Sequence, residues 1–282
     1  MPGPHKIYLA NPKLLRTIVP TGAYFQTEST LAKAEIEIVT NVINGRWGAA
    51  YTNYEHEKIG IELGHLAPEK VAALIAGLPT SFEDPRQQVV YELSCTLAAA
   101  RVVPVGLFRR AQNLVGDAGI VDVTALMGWF TAACLTLMAY DVPSDAVGLD
   151  QGRGSHSRPM RTTMFHGNDA PRLSLVDPDN STDEVAEAFK LLPVINVFRT
   201  MANAETLYPT YIAYVALLFK QLALDAALER MIVLRVARRS DCYYAWRQNV
   251  VVARSVGVID EQITPSRTSG DFTCLAMTLE VS

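Results

Sequence analysis

Apolar residues recur at helical spacing along most of the chain, and period-two alternation never persists. Leu31, Ala34, Ile38 and Val42 follow one another three to four apart, behind Ser29 and Thr30, which can cap a helix. Asn44–Gly45 breaks the run. A second helix from about Ala49 carries Tyr51, Tyr54, Ile59 and Leu63, and Gly64 stops it. Pro68 opens a short helix closed by Gly77. Further helices open near Pro85, with Val89, Leu93 and Leu97 on one face, and at Pro104. A turn at Asp117–Gly119 leads into an uncharged apolar helix over Val123–Tyr140. Residues 1–29, with prolines at 2, 4, 12 and 20, read as an irregular arm. Residues 143–182 are punctuated by Gly and Pro and read as a linker or crossover loop. Ser181–Glu184 then caps a helix, and Pro209 opens another. No element reads as a strand, so the expected fold class is all-α.

The same pattern of apolar positions, polar break and closing Gly occurs twice. It runs over Glu35–Lys70 and again over Leu228–Ile263, in register when Tyr51 meets Tyr244 and Gly64 meets Gly257. Few residues are identical. The copies differ at two polar positions: Glu37 and His56 in the first are Arg230 and Asn249 in the second.

Composition narrows the picture. Hydrophobic residues make up 49% of 282 and charged residues 19%, enough apolar surface for a large core. The net charge of −4 and the absence of a basic block give no electrostatic reason to expect nucleic acid. The first residues lack the apolar stretch of a secretory signal. The four cysteines are widely spaced with no C-x-x-C, which points to free thiols in a reducing, cytoplasmic setting. Val123–Tyr140 reaches the lower limit for a membrane span. Its threonines and the flanking Asp122 and Asp141, with no basic flank, favour a buried central helix and no membrane.

Glu37 and His56 are the candidate chemistry. They lie on consecutive helices, so an antiparallel hairpin can bring them together. A carboxylate beside a histidine fixes the imidazole tautomer and supports proton transfer near neutral pH without a cofactor. Tyr51 and Tyr54 share the helix, and Tyr54 can hydrogen-bond a substrate oxygen. The alternative is that His56, flanked by Glu55, Glu57 and Lys58, is a surface histidine among charges. The loop residues Arg153, His156, Arg158, Arg161 and His166 lack a converging ligand set, so no metal is expected. An arginine there can grip a substrate carboxylate.

These residues resemble the carboxymuconolactone decarboxylase and alkylhydroperoxidase D superfamily. The pattern is a helix, a break, Tyr-x-x-x-x-His from Tyr51, and a Gly ending. In the second copy the run is ERMIVLRVARRSDCYYAW. The resemblance implies two helical units forming a pseudo-dimer: a nearly whole unit over 30–142 and a shortened one over 183–265, with a tail over 266–282. It also implies a homo-oligomer, dimer or trimer. Glu37 and His56 fall on the family's Glu and His, while Ala49 and Thr52 fall where its redox members carry cysteines. Cys242 falls on the first cysteine of the second copy and reads as a small buried hydrophobe. Without a dithiol, thiol peroxidase activity is not expected.

The implied function is a cofactor-independent lyase or isomerase acting on a small organic acid, lactone or polyketide-like intermediate. Glu37, Tyr51 and His56 would be catalytic. Trp47, Thr52, Tyr54, Tyr244, Trp246 and Asn249 would line the substrate. A cyclase or pericyclase-type enzyme and a non-catalytic scaffold or binding protein are the alternatives.

Overall fold

The computed structural model describes residues 4–140, 142, 173–240 and 242–263. All regular structure among them is helical. The helices are α1 (Pro4–Tyr8), α2 (Pro12–Thr27), α3 (Lys33–Trp47), α4 (Ala50–Glu62), α5 (Pro68–Ala76), α6 (Pro85–Ala98), α7 (Val105–Ala139), α8 (Asp183–Phe189), α9 (Asn196–Met201), α10 (Tyr208–Lys220), α11 (Ala226–Arg239), α12 (Tyr243–Ser255) and α13 (Asp260–Ile263). They divide into two compact units, one holding α1–α10 and the other α11–α13.

In the first unit α3 is central and packs against α4, α5, α6 and α7. Ile36, Ile38, Val39, Val42 and Ile43 are buried around its circumference. Such all-round burial marks an interior helix. Gly45 permits the close approach of α5, because a Cβ there would stand 2.3 Å from the Ile75 carbonyl oxygen. The N-terminus of α3 is set by two buried carboxylates. Glu35 accepts from the Ala32 amide at 2.9 Å and pairs with Arg86 at 2.8 Å. Asp122 of α7 accepts from Tyr24 Oη, Ser29 Oγ, and the amide and hydroxyl of Thr30. Ser29 and Thr30 therefore bind Asp122 rather than capping α3.

Several expected boundaries differ. The N-terminal arm is helical: Asn11 caps α2, Pro12 occupies its first turn, and Pro20 lies inside it. The first break falls at Gly48, whose φ of 68° ends α3, and not at Asn44–Gly45. Asn44 is instead fully buried within α3, where the chain is still helical. The turn expected at Asp117–Gly119 is a kink at Gly116, with φ 72°, and α7 continues through it. That helix is long and apolar enough to cross a membrane, but most of its most apolar window is buried inside the protein. Helices α8–α10 belong with the first unit, since α10 packs on both α2 and α8. Among the described residues the second unit thus begins at 223 and not at 183. Residues 143–172 and 264–282, including the loop histidines and arginines and the whole of the expected tail, lie outside the described residues.

The second unit is a hairpin of α11 and α12 with α13 beside α11, around Leu234, Ala253, Val258 and Ile263. Three of its four helix boundaries keep an offset of 193 from the first hairpin, 226 against 33, 243 against 50 and 255 against 62, and the fourth, 239 against 47, falls one short.

Candidate functional site

The antiparallel pairing of α3 and α4 brings Glu37 to His56. Glu37 Oε2 lies 2.8 Å from His56 Nδ1, with Glu37 fully buried and the His56 side chain 14% exposed. Lys33, one turn before Glu37, sets its ammonium 3.0 Å from Oε1. Burial opposes ionisation of Glu37, but the hydrogen bond and charge of His56, followed by Lys33, outweigh it. The carboxyl is held below the usual carboxylate range. Glu37 is therefore an acceptor at neutral pH, and Nδ1–H of His56 donates to it. Nε2 is then the ring nitrogen left for a substrate, with a lone pair whenever the ring is neutral.

Three features hold the hairpin and the imidazole in place. Asn41, one turn beyond Glu37, donates from Nδ2 to the backbone oxygens of Glu37 at 2.9 Å and His56 at 3.1 Å, tying α3 to α4. Gly60 lets the helices close, since a Cβ there would lie 3.3 Å from Asn41 Nδ2 and 3.7 Å from Glu37 Cβ. Phe130 of α7 meets the His56 ring edge-to-face, with centroids 4.7 Å apart.

Below the dyad lies a buried polar layer. Cys134 Sγ donates to Asn44 Oδ1 at 3.2 Å, and Asn44 Nδ2 donates to the Thr52 carbonyl at 3.3 Å. Desolvation pushes the Cys134 thiol up to about 11, so it stays protonated. Thr40 Oγ1, Asn41 Oδ1 and Asn53 Oδ1 are buried without a hydrogen-bond partner among the described residues.

The expected substrate residues do not all converge. Thr52 is 4% exposed and its hydroxyl donates to the Ala49 carbonyl at 3.0 Å, so it is engaged within the protein. Trp47 Nε1 donates to Thr131 Oγ1 at 3.2 Å. Tyr51 lies half-buried on α4. Tyr54 faces the outer side of α4, where it lines an open depression of about 270 Å³ with Glu57, Lys58, Ile61 and Glu62; His56 is not part of that wall. Tyr244, Trp246 and Asn249 belong to the second unit. There Arg230 Nη1 donates to Asn249 Oδ1 at 2.9 Å, the same pairing of positions as Glu37 and His56. Cys242 is exposed, not buried, because it sits in the turn just before α12. Among the described residues no group of three or more His, Cys, Asp or Glu is placed to hold a metal ion.

Lys33, Asn41 and Phe130 escaped sequence reasoning. Lys33, Glu37 and Asn41 stand four apart, so their common stripe on α3 was visible. Phe130 carried no signal, because its approach depends on how α7 packs.

Fold and site together define an all-α protein with a buried carboxylate–imidazole dyad on a helical hairpin. The chain matches no known family model, no curated protein and no solved structure.

Proposed function

We propose that this protein is a cofactor-independent lyase or isomerase that moves protons at His56. The observation that carries the reading is the 2.8 Å contact between His56 Nδ1 and the buried, ionised Glu37. A helical repeat like that of the carboxymuconolactone decarboxylase and alkylhydroperoxidase D superfamily fits it, as does the offset of 193 between the hairpins. On this reading the chain is a pseudo-dimer with one acid–base site, cytoplasmic and assembled as a homo-oligomer.

The substrate would be a small organic acid or lactone. In decarboxylation the bond to the carboxylate carbon breaks, carbon dioxide leaves, and the electron pair enters an adjacent carbonyl to form an enolate. His56, after taking a proton from solvent onto Nε2, then delivers it to carbon while Glu37 holds Nδ1–H and the ring returns to its neutral form. In isomerisation Nε2 removes a proton from carbon and returns it one position away. Replacing His56 with Ala should lower turnover about a hundredfold or more. Turnover at the wild-type rate would remove His56 from the mechanism. A product isobaric with the substrate would favour an isomerase or a cyclase over a decarboxylase.

A second reading, a non-catalytic scaffold or binding protein, is favoured by one observation: the depression on α4 lies on its outer face and excludes His56. Wild-type protein that fails to turn over any carbonyl acid or lactone, yet binds a partner through that face, would support it.

A further inference from the structure

We propose that Lys33 is a positioning residue for this site, holding the Glu37 carboxylate so that His56 stays a neutral base instead of a trapped imidazolium. The proposal rests on the proton-transfer reading for its purpose, though not for its test.

The geometry divides the carboxylate. Oε1 faces the Lys33 ammonium at 3.0 Å and Oε2 faces His56 at 2.8 Å. Lys33 is itself steadied, since Nζ donates to Gln26 Oε1 at 2.8 Å. A buried carboxylate facing an imidazole alone would favour the doubly protonated ring. A lysine behind the carboxylate offsets that negative charge and adds a repulsion toward a charged ring, so the imidazole releases its proton more readily.

Among the described residues, Lys33 is the cation besides His56 that contacts Glu37. On α3, Lys33 contacts Glu37, while Glu35 is paired with Arg86. From α7 the His56 ring meets the uncharged Phe130, while Asp122 is taken up by Tyr24, Ser29 and Thr30. On α5, Lys70 lies over the Phe82 ring and Glu69 is exposed. On α4, Glu57 and Lys58 line the outer depression and Glu55 is their half-buried neighbour. The second hairpin supplies an internal comparison. At the offset of 193, Ala226 stands where Lys33 does, and the acid is missing there too, replaced by Arg230.

The test is an NMR titration of the His56 ring nitrogens in the full chain, assigned by loss of its signals in His56→Gln. Lys33→Met should raise the His56 midpoint by about one unit, and Lys33→Arg should restore it. Lys33→Gln takes the place of the Met variant if that one does not fold. A midpoint that is unchanged or lower without the lysine overturns the proposal. The readout needs no substrate, so a raised midpoint stands even if His56→Ala leaves turnover intact. An unchanged midpoint beside a dead His56→Ala removes Lys33 alone.

Discussion

Replacing Glu37 with Gln changes one atom's chemistry and should invert the tautomer of His56. The amide has one acceptor and one donor end, and both neighbours constrain it. Lys33 presents only N–H groups, 3.0 Å from the position of Oε1. The amide oxygen therefore turns toward Lys33, and the amide NH2 toward His56 Nδ1, 2.8 Å from the position of Oε2. Nδ1 must then accept, and the ring proton moves to Nε2, which ceases to be a base. Turnover should fall about a hundred- to ten-thousandfold, the range of a general base with its orienting acid. Stability should change by only about 1 kcal/mol, because the variant also removes the cost of burying a charge and Lys33, 31% exposed, can turn to water. Ring nitrogen shifts in a long-range proton–nitrogen spectrum distinguish the tautomers directly. If the variant keeps its proton on Nδ1, the reasoning about donors and acceptors is wrong. With Lys33→Met added, the amide oxygen is free to face His56, and the Nδ1–H tautomer should return.

Asp122→Ala should cost about 3–5 kcal/mol in urea unfolding, since it strands the buried Tyr24 hydroxyl along with other donors from the α2–α3 turn; a loss below about 1 kcal/mol would show that water replaces the carboxylate. Gly45→Ala should destabilise by about 2 kcal/mol or more, because the new Cβ meets the backbone of Ile75 at 2.3 Å and one of the two helices must move; an unchanged melting temperature would contradict that contact. The Glu37 carboxyl is held below its unfolded value, so its stabilisation is complete above the ordinary glutamate range and is lost as pH falls through the folded value. The acid limb of stability should therefore be shallower in Glu37→Gln than in the wild type, and superimposable limbs would place the loss in other carboxylates.

The helices were legible because their signals are local. Pro12, Pro68 and Pro85 stand at helix starts, and the α3 and α4 apolar positions repeat at helical spacing. Glu37 and His56 were legible for the same reason: a hairpin with a short break can hardly avoid pairing them. The α2 helix was not, because four prolines in the first twenty residues outweighed its apolar spacing, although Pro12 starts the helix and Pro20 is accommodated within it. The grouping of α8–α10 with the first unit was invisible, since it depends on α10 packing against α2, nearly two hundred residues earlier. The same limit hid Phe130, and with it the wall against which the imidazole rests.

The two hairpins, similar in helix spacing, differ in the residues packed between their helices. Both tie their helices with a polar pair at the same two positions, Glu37 to His56 and Arg230 to Asn249. Cross-linking therefore needs neither an acid nor an imidazole, and a guanidinium with an amide does it without titrating near neutral pH. The first hairpin surrounds its pair with Asn41, Asn44, Thr52 and Asn53, all buried. At the offset of 193 the second has Leu234, Ala237, Ala245 and Trp246. Burying amides and hydroxyls costs stability wherever a partner is missing, as it is for Asn41 Oδ1 and Asn53 Oδ1. The second hairpin has nearly the same helix spacing with apolar residues at those places. The polar layer of the first lies next to Glu37 and His56, and the second hairpin has no counterpart to it at the matching positions.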